Sequence, residues 1–207
     1  MPRLLRPRLL SAALGVALVA AAAVLLLPPL LGIAHRGAAD HRALQRWLGA
    51  KGAITKVVVA PPPSGATLVP GCGSGPSGAD YALIQFPSLP GTEGVAASGT
   101  WSLLTQRSVV HWGASPAPGG VGNVLIALHR EPNFETLGQL RPGDAIVLVN
   151  RACRHFTYRV TRTWVLDPSQ VTQLAPVTGA RVLTVITCTP LWIDTQRLVI
   201  RARLIPA

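Results

Sequence analysis

Apolar and polar positions divide the chain into three textures. In residues 9–27 every position is Leu, Ala, Val or Gly apart from Ser11, and no charge follows until His35 and Arg36. At about 1.5 Å per residue this run spans roughly 28 Å, against about 30 Å for a bilayer's hydrocarbon core. A cleavable signal peptide has a shorter apolar core, about 7–15 residues. Residues 9–31 are therefore predicted to be an uncleaved transmembrane helix, stopped at Pro28-Pro29 because proline removes a helical hydrogen bond. Residues 34–52 read as a short helix with Leu44, Trp47 and Leu48 on one side. The Gly, Pro and Ser residues of 61–65 and 70–78 hold no regular element, so 32–78 is read as a stalk.

From Tyr81 onward the texture changes to short runs rich in Val, Ile, Leu, Thr and aromatic residues, at 81–86, 123–128, 145–150, 155–165, 182–187 and 198–204. Turn residues bound each run, among them Pro90-Gly91, Gly119-Gly120, Pro142-Gly143-Asp144 and Asp167-Pro168. The run 155–165 alternates apolar and polar positions, as a half-buried strand does. Helical periods are confined to 103–110 and 133–140. Many short strands without long helices predict an all-β barrel or sandwich, occupying 79–207.

Composition narrows the class. A chain of 207 residues with 49% hydrophobic side chains supports one core of ordinary size. Three Cys exclude a disulfide-stapled mini-domain and a four-thiolate zinc module. The net charge is +11, but Arg3, Arg6 and Arg8 precede the apolar run. Their position predicts a cytoplasmic N-terminus (residues 1–8) with everything beyond the helix outside the cell membrane. Removing those three from the 19 basic residues leaves sixteen against 8 acidic ones. They are scattered singly, without the clustered face of a nucleic-acid binder, and a domain beside an anionic envelope accounts for the sign.

Cys188 is the most informative candidate. It ends the apolar run 182–187 and precedes Thr189-Pro190, which places its sulfur at a rim and not in mid-sheet. An unpaired thiol is a liability in an oxidising compartment, and the odd count leaves Cys72 and Cys153 to pair with each other. A nucleophilic Cys needs a proton partner and a donor for the oxyanion. Among His35, His41, His111, His129 and His155, only His129 also ends a core-type strand. Arg197 opens the last strand, which is expected to pair with the strand before it. Its planar, permanently charged guanidinium suits a carbonyl oxygen turning negative.

The segments His129-Arg130, Leu140-Arg141-Pro142-Gly143-Asp144, Thr184-x-x-Thr187-Cys188-Thr189-Pro190 and Arg197-Leu198-Val199 together resemble the sortases, cysteine transpeptidases anchored at Gram-positive cell surfaces. The resemblance covers about 81–204, and Thr-Cys-Thr-Pro is similar to the class E and class D enzymes. It implies an eight-stranded β-barrel with short loop helices, preceded by one transmembrane helix. It also implies Cys188 as nucleophile, His129 as general acid and base, and Arg197 as oxyanion stabiliser. Expected partners are secreted proteins bearing an LPXTG- or LAXTG-like C-terminal signal, and an amine of the cell wall or a pilin. The N-terminal helix contacts membrane lipid. No cofactor, metal or nucleic acid is called for. Leu128 stands where the family usually has Gly, and Val185-Ile186 where Leu-Thr is commoner.

Other readings compete. Arg151-Ala152-Cys153-Arg154 is similar to a caspase signature but lacks its following Gly. His111, His129 and Cys188 lack the close spacing of zinc motifs. The alternative from another class is a surface-anchored β-barrel that binds a wall polymer or partner and has lost its chemistry. Substrate choice is expected in loops 91–120 and 168–179.

Overall fold

The computed structural model describes residues 5–52, 72 and 78–206. Most of the Gly/Pro/Ser-rich stretch predicted as stalk, including 61–65, lies outside the described residues. Leu- and Ala-rich sequence builds α1, Leu5–Gly52, which continues through Pro28 and Pro29. The expected stop at this pair is therefore corrected. Proline's lost hydrogen bond and ring clash cost about 3 kcal/mol, yet long runs of strong helix formers on both sides carry the helix across. Residues 11–31 are exposed all round the helix. This part is long and apolar enough to cross a membrane.

The chain divides into two compact units, Met1–His35 and Arg36–Ala207. The second holds eight strands: β1 Ala82–Gln85, β2 Glu93–Gly99, β3 Val109–Trp112, β4 Gly122–Leu128, β5 Ala145–Asn150, β6 His155–Leu166, β7 Arg181–Thr189 and β8 Gln196–Leu204. They close into a barrel in the order β1-β2-β3-β4-β7-β8-β6-β5. The β2–β3 and β4–β7 pairs are parallel, and the other pairs are antiparallel. Closure removes the unpaired edges that an open sheet would expose. Segment 91–120, read as a groove loop, instead contains β2 and β3. Its strand signal is diluted by Gly94, Gly99 and short alanine-rich runs, residues that seldom mark strands.

Alternate residues of each strand fill the barrel: Ile84, Val109, Val124, Ile126, Ile146, Leu148, Tyr158, Leu183, Val185 and Ile200 belong to one buried cluster. On the outside, Leu83, Val95 and Val149 form a second cluster with Ala43 and Trp47 of α1 and with Cys72. Residues 36–52 therefore differ from a free stalk, since they pack as a helix on the β1, β2 and β5 face. This explains why Ala82, Leu83 and Ile84 of β1 are apolar in succession: both faces of the strand are covered. Asp40 of α1 and Arg107 are buried and joined by a 3.0 Å ion pair. Arg46 grips buried Asp80 through two hydrogen bonds of 2.9 and 2.8 Å. Cys72 and Cys153 are joined by a disulfide with their Cα atoms 5.2 Å apart.

Candidate active site

Strand register brings the three predicted residues together. β7 and β8 pair so that Cys188 lies directly opposite Arg197. β4 and β7 run parallel, and their last registered pair, Ala127 with Ile186, lies two residues before both His129 and Cys188. Leu183, Val185, Leu198, Ile200, Ile126 and Leu128 point into the core. By the alternation of a strand, Cys188, Arg197 and His129 stand on the outer side of the same barrel end. Leu128 is inward and almost fully buried, so the residue that replaces the family's usual Gly fills the core and not the surface beside His129.

Local bonds fix each group. The backbone N–H of His129 extends the ladder to Ser108 O at 2.8 Å. Its ring Nε2 lies 2.9 Å from Leu104 O. A carbonyl only accepts, so Nε2 carries hydrogen and Nδ1 is the nitrogen left to take up a proton. Arg197 Nη1 donates to Asp194 O and Gln196 O, each at 2.9 Å, which holds the guanidinium at the β7–β8 turn. That turn puts Trp192 and Asp194 in the left-handed region, with φ of 66° and 59°, a conformation uncommon for residues other than Gly.

The two residues after His129 tie its segment to the Cys188 side. Arg130 Nη1 donates to Thr189 Oγ1 at 3.0 Å, while its Nε and Nη2 donate to Glu135 O. Gly138 leaves room for this guanidinium: a Cβ there would come within 2.7 Å of Arg130 Nη2. Buried Glu131 accepts the Trp192 N–H at 2.9 Å. These bonds lock the end of β4 against the end of β7 and the turn beyond it.

The electrostatics oppose one another. Cys188 is the free cysteine among the described residues, half-buried. Burial pushes its thiol above the ordinary value. Arg197 pulls it down, and Asp194 and Glu131 push it further up. Burial also raises the carboxyl of Asp194, helped by Glu131 and opposed by Arg197, His129 and Arg130. Cations and carboxylates thus surround one sulfur, the setting in which thiol chemistry is controlled.

The rival candidates lie elsewhere. Cys153 is occupied by its bond to Cys72. His111 sits on β3, with Nδ1 3.0 Å from Ser98 Oγ and Nε2 3.0 Å from Pro116 O. His155 is exposed at the start of β6, and His35 and His41 are on α1. The segment 168–179 does fold over the sheet: Gln173 O accepts from Asn123 and Arg201, and Ala175 O accepts from Asn123. Sequence reasoning missed Leu104, Glu131 and Asp194 and gave Arg130 no role. A carboxylate two residues beyond the candidate His and another three before the candidate Arg were the available signals.

Comparison with known proteins agrees with the fold. The family model described as Sortase domain matches residues 84–205, more than half of the chain. Sortase C1 of Streptococcus agalactiae is 27% identical with a TM-score of 0.56, over 62% of this chain and 69% of that one. A lid mutant of Corynebacterium diphtheriae sortase A is 25% identical with a TM-score of 0.56, over 62% and 71%. The Clostridium perfringens sortase D5 transpeptidase, 21% identical, shares the fold with a TM-score of 0.58 over 84% and 99%. No curated protein matches significantly. With its closed eight-stranded barrel and a domain match reaching from β1 through β8, the chain belongs to the sortase family.

Proposed function

We propose that the protein is a membrane-anchored cysteine transpeptidase that cleaves an LPXTG- or LAXTG-like C-terminal signal and joins the cut protein to a wall or pilin amine. The Cys188 thiolate attacks the carbonyl of the Thr–Gly or Thr–Ala bond, forming a C–S bond and a tetrahedral oxyanion. Arg197 stabilises that oxyanion, and collapse breaks the C–N bond as His129 gives a proton to the leaving amine. The resulting thioester is opened by an incoming amine whose proton passes to His129, and the thiolate leaves. The observation that carries the reading is the register of Cys188 against Arg197 with His129 ending the adjacent strand. Because burial raises the thiol, little thiolate is present at neutral pH, and alkylation of Cys188 should speed up into the alkaline range. The exposed apolar surface of residues 11–31 favours a single-pass anchor. Arg3, Arg6 and Arg8 favour a cytoplasmic N-terminus and an extracytoplasmic barrel. The Thr-Cys-Thr-Pro segment favours class E or D.

The test is incubation of the full chain in detergent with a panel of sorting peptides and an amine, read by mass spectrometry. Cleavage with amine-ligated product is expected. Arg197→Ala should lower the rate about 10²–10³-fold with the fold retained. An unreactive wild-type protein would leave a binding barrel in place of the enzyme.

A further inference from the structure

The turn between β7 and β8 presents Trp192 and Ile193 to solvent, 65% and 64% exposed. Among the other described residues from 36 onward, the exposed large apolar side chains are Leu48, Val121, Val165 and Val171, each standing alone, as scattered surface apolars ordinarily do. The adjacent pair is also held firmly. Glu131 accepts the Trp192 N–H at 2.9 Å, and the N–H groups of Ile193 and Asp194 both donate to Pro190 O, at 3.1 and 3.0 Å. Trp192 keeps its left-handed φ of 66°, uncommon for a bulky side chain. The fold draws no burial from these two side chains, so their use lies outside the chain.

The chain comes to this same barrel end from its apolar run. Ser108 makes the link: its carbonyl accepts the His129 N–H, and its own N–H donates to Asp40 of α1. Gly37 lies against Pro132, whose ring a Cβ at Gly37 would meet at 3.8 Å, and Pro132 follows the Glu131 that holds Trp192. Further along α1, Arg46 reaches Asp80, ahead of β1 and at the opposite end of the barrel. Even fully extended, the chain from Leu31 to Gly37 covers no more than about 20 Å. A bilayer spanned by the apolar run therefore has its surface within a short tether of the Cys188 end. Trp concentrates at membrane–water interfaces, where its ring is buried and its N–H stays wet. Arg130 and Arg197 at this end are balanced by Glu131 and Asp194, so the attraction is apolar and not electrostatic. Two such side chains would hold a free protein only marginally, but on a tethered chain the second attachment is intramolecular.

We propose that Trp192 and Ile193 dip into the interfacial layer of the bilayer and dock the Cys188 end of the barrel on the membrane surface. This rests on the reading of residues 9–31 as a membrane anchor. The Cys188 rim then works at the lipid surface and not as a mouth open to bulk solvent.

The full chain is reconstituted in nanodiscs of zwitterionic lipid, and its Trp emission is quenched by lipids brominated high in their acyl chains. Of the five Trp, Trp47 is buried and Trp101, Trp112 and Trp164 are half-buried, which leaves Trp192 exposed. Bromine should quench the wild-type emission, and Trp192→Phe, which keeps the backbone bonds of the turn, should lose most of that quenching. Val121→Trp added to the Trp192→Phe chain puts an exposed Trp at the opposite end, just before β4, and should not restore it. Raising the salt should leave the wild-type quenching unchanged. Equal quenching in wild type and Trp192→Phe, quenching restored from position 121, or quenching abolished by salt overturns the proposal. So does a Trp192 whose emission ignores the lipid but shifts on adding a sorting peptide, which would make the turn a wall for the donor. Flotation with liposomes separates the two claims. A chain that floats with Trp192 unquenched keeps the anchor and refutes the docking, and a chain that does not float refutes both.

Discussion

Truncating Asp40 tests whether residues 36–52 belong to the barrel's folding unit. Asp40 is 7% exposed. It accepts from Arg107 Nε at 3.0 Å and from the Ser108 backbone N–H at 3.2 and 3.0 Å. Arg107, 8% exposed, spends its other donors on Ala79 O and Val95 O. Asp40→Ala therefore strands a buried guanidinium and a buried amide together. Removing one partner of a buried ion pair costs about 3–5 kcal/mol. The Asp80 carboxylate, 3.9 Å from Arg107, offsets part of this, which places the loss near 3 kcal/mol. For a domain of this size each kcal/mol lowers Tm by about 2–4 °C, so a fall of about 6–12 °C is expected in thermal unfolding of the detergent-solubilised chain. Pairing Asp40→Ala with Arg107→Met should recover a large part, because the stranded charge is gone. A fall below about 2 °C, or no recovery in the double variant, would refute the argument that this ion pair pins the helix to the barrel.

Three further outcomes follow from the geometry. Glu131→Gln keeps an acceptor for Trp192 N–H but removes a charge that raises the Cys188 thiol, so alkylation of Cys188 by iodoacetamide should move to lower pH; a move to higher pH would contradict the electrostatics. Reducing the Cys72–Cys153 bond, which spans 81 residues, should cost about 2–4 kcal/mol, read as a lower unfolding temperature in a phosphine reductant. Burial holds His111 below the ordinary imidazole value against the opposing pull of Pro116 O. Unfolded chains thus take up its proton first, and stability should fall as pH drops below about 6.5; His111→Gln should flatten that part of a Tm-against-pH curve.

Strand signals in the sequence were clear where burial is one-sided or complete. Positions 145–150 and 155–165 match β5 and nearly all of β6: Ile146 and Leu148 face the barrel core while Val147 and Val149 face the second cluster, and Tyr158 and Val160 alternate with polar residues on the outer face. β2 and β3 were illegible: Glu93–Gly99 carries two Gly and two Ala and is parallel-paired with a strand of four residues. Cys188, His129 and Arg197 stood out as candidates because each ends or opens an apolar run, and strand ends meet at barrel rims. Arg130 and Glu131 were not given roles, since what they do depends on Thr189 and Trp192, residues about sixty positions away. The packing of residues 36–52 escaped notice because Asp40 and Trp47 look like surface and membrane-edge residues until Arg107 and Leu83 are placed beside them.

The sharpest single trial is intact-mass analysis of the chain quenched during reaction with a sorting peptide, followed by peptide mapping. An acyl adduct on the sulfur of Cys188, lost on adding an amine and absent from Cys188→Ala, is the predicted result. A cleaved peptide with no adduct, or an adduct mapped to another residue, would contradict it.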